Sequence, residues 1–215
     1  MAAGILGFLQ PMRKKGLSVD HQQGQVQPPI HELLARRWSP RAFDDRLVDT
    51  DLLRMLFEAA RWAPSSNNEQ PWRFIVATKD HEVDWTRLFD CLVEGNRRWA
   101  FRAPVLVLSI ASMHFQDNGR PNRHAFHDTG LATQNLVLQA AVHGLMARQM
   151  AGFDVEKTRT DLQIPTGYEP VAIIAIGYPG DPAVLPERLR ERELQPRSRR
   201  PIEEWTFSGQ WGIPY

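Results

Sequence analysis

Three arginines and a hydroxyl stand within Arg36-Arg37-Trp38-Ser39-Pro40-Arg41, followed by Ala42-Phe43. Guanidinium forks bind phosphate through paired, charge-assisted hydrogen bonds, each contributing about 1.5–3 kcal/mol. A solvated basic helix end has the same composition, since Arg is mostly exposed. A second stretch, Ala63-Pro64-Ser65-Ser66-Asn67-Asn68-Glu69-Gln70-Pro71-Trp72, is polar or proline between its ends. Its Asn and Gln side chains present a donor and an acceptor together. That suits a heterocycle whose edge alternates carbonyl and N–H. Ser/Asn-rich loops are also ordinary surface turns.

These residues need elements to position them. Ile30, Leu33 and Leu34 fall at helical spacing. The residue before a proline is pushed out of the helical region, so a helix over Ile30–Arg37 breaks at Ser39-Pro40. Thr50 can cap a helix starting at Asp51, with Leu53, Leu56, Phe57 and Ala60 on one face. Trp72–Ala77 is expected as strand, which puts the polar loop at a strand edge, a usual place for ligand contacts. Asp80–Val93 is expected as helix. Val105–Ile110 and Val171–Gly177 are continuous apolar runs, expected as strands buried on both faces. Met113–Asn122 is expected as polar loop. His124–His143 is a long helical pattern with Leu131, Asn135, Leu138 and Val142 on one face and Ala132, Leu136 and Gln139 beside it. Apolar or small residues on more than one face imply burial on more than one side, as at a subunit interface. Gly144 ends this helix. Leu145–Met150 is a short strand, Asp154 caps a helix to about Leu162, and Pro186–Leu194 is a charged helix.

The chain has 215 residues, 42% hydrophobic and 24% charged, with a formal net charge of +1. This fits one large domain, and strands separated by helices indicate an α/β or α+β layer structure. Near-zero net charge gives no electrostatic case for nucleic acid. The basic residues cluster instead at 36–41, 97–102 and 188–200, which suits a small anion or tails. Cys91 is the single cysteine. It cannot form an internal disulfide, which fits a reducing, cytoplasmic setting, and it is expected to pack rather than react. No apolar run approaches the roughly 18 residues of a membrane span. Residues 1–29 are expected as an N-terminal arm and 202–215 as a C-terminal arm, the latter with Trp205, Phe207, Trp211 and Tyr215 packing on another surface. His124, His127 and Asp128 lie at helical spacing but form no recognised metal motif.

The ordered set of motifs resembles the nitroreductase family from about Ile30 to Pro201. Its parts are Arg-Arg-Trp-Ser-Pro-Arg-Ala-Phe at 36–43, Ala-Pro-Ser-Ser-Asn-Asn-Glu-Gln-Pro-Trp at 63–72 and Gly-Asn at 95–96. They continue with Gln-Asn-Leu, Leu-Gln-Ala-Ala and Gly-Leu between 134 and 145, Gly-Phe at 152–153, Gly-Tyr-Pro at 177–179 and Arg-Ser-Arg-Arg-Pro at 197–201. The resemblance implies an α+β fold around a four- or five-stranded, mostly antiparallel sheet flanked by helices. It also implies an intertwined homodimer with FMN at the interface.

By the same resemblance, Arg37, Ser39 and Arg41 match positions near the FMN phosphate, ribityl chain and pyrimidine. Arg36 and Trp38 belong to that motif. Ser65, Ser66 and Asn68, with Pro64 and Gln70, match a loop beside the flavin, contributed by the other subunit. Asn96 matches a residue on the pyrimidine edge. Ala151 and Gly152 match a segment whose amides face the flavin N5, and Arg197 and Arg199 match a basic pair closing on the phosphate. No single acid–base residue is expected, because the cofactor carries the redox chemistry. The implied activity is ping-pong transfer of hydride from NAD(P)H to a nitroaromatic, quinone or other small electrophile. A relative with different flavin chemistry, or a flavin-binding protein without turnover, has the same motifs. Two positions depart from the pattern: Trp99 replaces a basic residue, and Ala151 stands where some relatives carry Glu.

Overall fold

The computed structural model describes residues 29–215. The expected N-terminal arm therefore lies outside the described residues, apart from Pro29. The described chain falls into two units, residues 29–195 and residues 196–215.

The larger unit carries α1 (Glu32–Arg36), α2 (Thr50–Arg61), β1 (Trp72–Thr78), α3 (Glu82–Phe89), α4 (Glu94–Ala100), β2 (Val105–Ser112), α5 (Ala125–Val142), β3 (Met146–Met150), α6 (Val155–Asp161), β4 (Tyr168–Gly177) and α7 (Glu187–Leu194). The four strands form one sheet in the order β1-β2-β4-β3. All three pairings are antiparallel. Alternation along the strands divides the core in two. Leu106, Leu108, Ile110, Ile173 and Ala175 face a cluster with Trp85, Leu88 and Trp99. Val105, Val107, Ile174 and Ile176 face a second cluster with Leu56 of α2 and Leu136 of α5. Apolar runs without polar alternation are what a sheet covered on both faces requires. The register of β2 and β4 shifts between Ser109 and Ile110, beside Pro170. Pro170 lies before the β3-paired segment, which begins at Ile173, so its missing N–H interrupts no pairing on that side.

The strand expectations agree with the structure, with β2 and β4 each extending further. Three local expectations are corrected. Asp49, not Thr50, caps α2, its carboxylate accepting from the N–H groups of Asp51 and Leu52. The helix expected over 80–93 ends at Phe89, because Cys91 and Val93 pair with the segment after β3: Asp154 N donates to Cys91 O at 2.8 Å and Val93 N to Gly152 O at 3.1 Å. Gly95 and Asn96, both poor helix formers, nonetheless open a new helix, α4. On α5 the buried face is Asp128, Thr129, Ala132, Leu136 and Ala140. The face expected from Leu131, Asn135, Leu138 and Val142 is half-buried or exposed.

The smaller unit contains a short 3-10 turn, Ile202–Glu204. A tight turn follows in which Phe207 bridges Pro214, and the Phe207 and Trp211 rings lie 4.7 Å apart. The expected boundary at residue 201 falls inside this unit.

Candidate cofactor site

The 37–43 stretch, leaving α1 at Arg36, is irregular backbone fixed by its neighbours on every side. Arg36 Nη2 donates to Ala141 O at the end of α5, at 3.0 Å. Its bound guanidinium therefore also ties the stretch to that helix. Arg37 Nη1 reaches Ser39 Oγ at 3.4 Å. The Trp38 indole N–H is buried without a hydrogen-bond partner. Glu193 of α7 is buried, and its Oε1 accepts from Arg41 N at 2.7 Å and Ala42 N at 3.1 Å. Its Oε2 lies 3.6 Å from the Arg41 guanidinium. Arg148 of β3 donates from Nη1 to Ser39 O at 2.5 Å. On the far side Gly180 N donates to Ala42 O and Asp44 N to Tyr178 O, each at 2.9 Å. A Cβ on Gly180 would sit 2.5 Å from the Phe43 carbonyl carbon, so only glycine allows this approach. Phe43 stacks on Trp99 at 6.3 Å.

The 63–72 loop folds on itself. Ser65 Oγ accepts from Gln70 N at 3.0 Å, and Gln70 Nε2 donates to Asn68 O at 3.1 Å. Asn67, Asn68 and Gln70 have φ of 54°, 56° and 53°. Such left-handed residues cost on the order of 1–3 kcal/mol each and persist only where surroundings impose them. The surroundings here are Arg73, whose Nη1 donates to Gln70 O at 3.0 Å, and Asp128. Asp128 is buried in the first turn of α5, and its Oδ2 accepts from Ser66 N at 2.9 Å. Pro64 is exposed at the loop entrance. Glu69 also accepts from Gln116 N, which ties the loop to the 113–122 segment.

Asn96 and Gly152 meet directly. Asn96 Nδ2 donates to Gly152 O at 2.9 Å. A Cβ on Gly152 would lie 2.8 Å from that Nδ2 and 3.0 Å from Val93 Cγ2. The Asn96 amide thus has part of its capacity engaged and keeps its oxygen and a second N–H. Ala151, beside Gly152, is exposed. Arg197 and Arg199 belong to the smaller unit, where the Arg199 guanidinium donates to Ser198 O.

The structure brings Arg37, Trp38, Ser39 and Arg41 together in one segment and Asn96 together with Gly152. It does not bring the polar loop to the arginines within one chain. The loop is tied to Asp128 and the arginine stretch to Ala141. Thirteen residues of α5 separate those anchors, about 20 Å along a helix. A cavity of about 310 Å³ lies elsewhere, lined by Arg73, Ile75, Ile110, Leu162, Ile164 and Tyr168 among others. It shares no residue with the expected site.

Sequence reasoning missed Glu193 and Arg148, and weighed Asp128 only beside His124 and His127 as a metal ligand, not as an anchor of the polar loop. Each stands in line with apolar residues: Glu193 four residues after Leu189, Arg148 between Met146 and Met150, Asp128 four before Ala132. A charge in an apolar stripe was the available signal.

The residues present fit a flavin mononucleotide. Arg37 and Ser39 suit a phosphate of about −2 charge and its ribityl chain, and Arg41 suits the carbonyl side of a heterocycle. The buried unpartnered Trp38 N–H suits an acceptor, and the Asn96 amide suits a heterocycle edge.

The profile of the Nitroreductase family matches residues 34–96 and 86–178. Over 149 residues the chain is 38% identical to an uncharacterized 15.4 kDa protein of Mycolicibacterium smegmatis, covering 66% of this chain and 99% of that one. It is 28% identical over 178 residues to a Stenotrophomonas maltophilia protein named "putative NADH dehydrogenase/NAD(P)H nitroreductase", covering 74% and 89%. Its backbone superposes on the crystal structure of an oxidoreductase containing FMN with a TM-score of 0.84 at 38% identity, covering 88% of this chain and 96% of that one. A nitroreductase family protein from Clostridium difficile gives 0.64 at 25% identity, covering 83% and 96%. The scaffold is therefore that of an oxidoreductase of the α+β class. The chain belongs to the nitroreductase family.

Proposed function

We propose that two copies of this chain bind FMN between them and pass hydride from NAD(P)H to a small electrophile such as a nitroaromatic or a quinone. The observation that carries this reading is the arginine stretch itself. Arg37, Ser39 and Arg41 are held in non-helical backbone by a buried carboxylate, an arginine and a glycine contact, which is much structure to spend on a solvated helix end. FMN supplies two-electron hydride chemistry when bound. The chain's own residues bind and orient it. Arg37 and Ser39, with Arg36 and Trp38 behind them, take the phosphate and ribityl side. Arg41 and Asn96 take the pyrimidine, and the Ala151–Gly152 backbone lies by N5. Arg197 and Arg199 are proposed as further phosphate ligands on the family match alone.

The second copy is needed because the polar loop and the arginines occupy opposite ends of α5. In our reading α5 pairs with its counterpart, so that Pro64, Ser65, Ser66, Asn68 and Gln70 of one chain reach the arginines of the other. Leu131 and Asn135 pack against the chain's own α2 side, so the half-buried Leu138 and the exposed Val142 are what this face leaves for the partner.

The purified protein is expected to be yellow, with absorption at about 450 nm that bleaches under anaerobic NADH or NADPH and returns on adding a nitro compound or quinone. An Arg37→Ala variant should keep its fold and lose copurified FMN, with affinity down by roughly tenfold or more. A colourless wild-type protein that takes up no added FMN would overturn the proposal.

A further inference from the structure

Arg148 has no place in the motifs that point to FMN. By strand alternation it shares a face of β3 with Met146 and Met150. Its guanidinium carbon lies 5.3 Å from the centroid of the buried Trp99 ring, and Nη1 holds Ser39 O. Two charged groups govern it electrostatically: Arg41 opposes its charge and Glu193 favours it. Two guanidiniums therefore stand in the field of the Glu193 carboxylate, which already accepts two backbone N–H groups. Burial and the neighbouring Arg41 outweigh Glu193 and bring Arg148 down to about 10, which leaves it charged at neutral pH. Surplus positive charge in a poorly solvated place is unfavourable until an anion arrives.

The position of the surplus says which part of a cofactor it would meet. Trp99, under Arg148, is one turn beyond Asn96 on α4. Asn96 holds Gly152, and Gly152 follows β3 by two residues. Arg148 thus spans from Ser39, on the ribityl side, to the Trp99–Asn96 helix that carries a residue assigned to the ring. A hydride carries two electrons and one proton, so its arrival on the ring adds one negative charge, and its departure to an acceptor removes it. We propose that Arg148 is a ring-side cation which, with Arg41, favours the reduced state of the bound cofactor. This rests on the FMN reading above.

The test uses flavin-loaded wild-type protein beside Arg148→Met, Arg148→Gln and Arg148→Lys, with circular dichroism as the check on folding. The midpoint potential is measured anaerobically against a reference dye, and the affinities of the apoprotein for FMN and riboflavin are measured by fluorescence quenching. The neutral variants should favour the reduced flavin about tenfold less, which for a two-electron couple lowers the midpoint by about 30 mV. The ratio of FMN to riboflavin affinity should stay unchanged, and Arg148→Lys should recover most of the potential. A folded neutral variant with bound flavin and an unshifted potential would overturn the proposal. So would a loss confined to FMN over riboflavin, which would put Arg148 at the phosphate, or a Lys variant as low as Met. Failure of the FMN reading itself shows separately, as wild-type protein that binds no flavin.

Discussion

Glu193 sits in Glu187–Leu194, a helix of alternating acids and arginines that by composition belongs in solvent. Its side chain is instead buried, because it falls on the Leu185–Leu189 stripe and meets two backbone N–H groups of the arginine stretch. A carboxylate accepting such bonds gains about 1.5–3 kcal/mol from each, enough to offset its desolvation. Cys91 meets its expectation for a different reason. It is 1% exposed and its Sγ donates to Arg87 O at 3.3 Å. Burial raises its pKa above the usual 9.0, so the folded protein keeps the neutral thiol where the unfolded chain would ionise. The stability from this group is present below about pH 9 and is lost as pH rises from there toward the folded value. At pH 8 the native protein should therefore react only slowly with a chromogenic disulfide reagent, and promptly with one thiol per chain once denatured. Fast native reaction would show that the thiol is accessible.

At the scale of elements, the site depends on where helices stop. α4 exists although Gly95 and Asn96 disfavour helix, because the 91–93 turn is captured by the 152–154 segment and redirects the chain. That capture also brings Asn96 onto Gly152. Gly152→Ala would place a methyl 2.8 Å from Asn96 Nδ2, where tolerable contacts begin well beyond 3 Å. We expect a loss of about 1–3 kcal/mol in stability from this overpacking, seen as a lower Tm. FMN affinity should also fall, because Asn96 must leave its position. A variant with both properties at wild-type level would show that Asn96 and the 150–153 segment move independently. The residues in these two segments were legible as motifs, but their contact was not, since Asn96 and Gly152 are 56 positions apart and nothing local links them. The 63–72 loop is similar. Its Asn-rich composition signals turns, but not that the loop, with left-handed φ at three positions, is anchored at its two ends by Asp128 and Arg73.

For the whole molecule, the separation of the arginines from the polar loop along α5 leads to a test of the two-chain site. In solution the mass should be twice the 24.7 kDa of one chain. In a mixed dimer, one copy carries Arg37→Ala and the other Asp128→Ala, which releases the loop by freeing Ser66 N. If each site takes arginines from one chain and loop from the other, one site collects both defects and the other none, so the mixed dimer should bind about half the wild-type FMN. If each site lies within one chain, both sites are damaged and FMN is nearly absent. The amino-acid sequence by itself determined the strands, the long helix, the two-faced sheet and the polar and basic segments. These follow from apolar periodicity and turn chemistry, which act between near neighbours. Only the tertiary structure decided which charges are buried, that Arg148 and Glu193 converge on Ser39 and Arg41, and that the loop hangs from the opposite end of α5. Those facts depend on packing between segments far apart in the chain, where burial reverses the ordinary preference of a charged side chain for water.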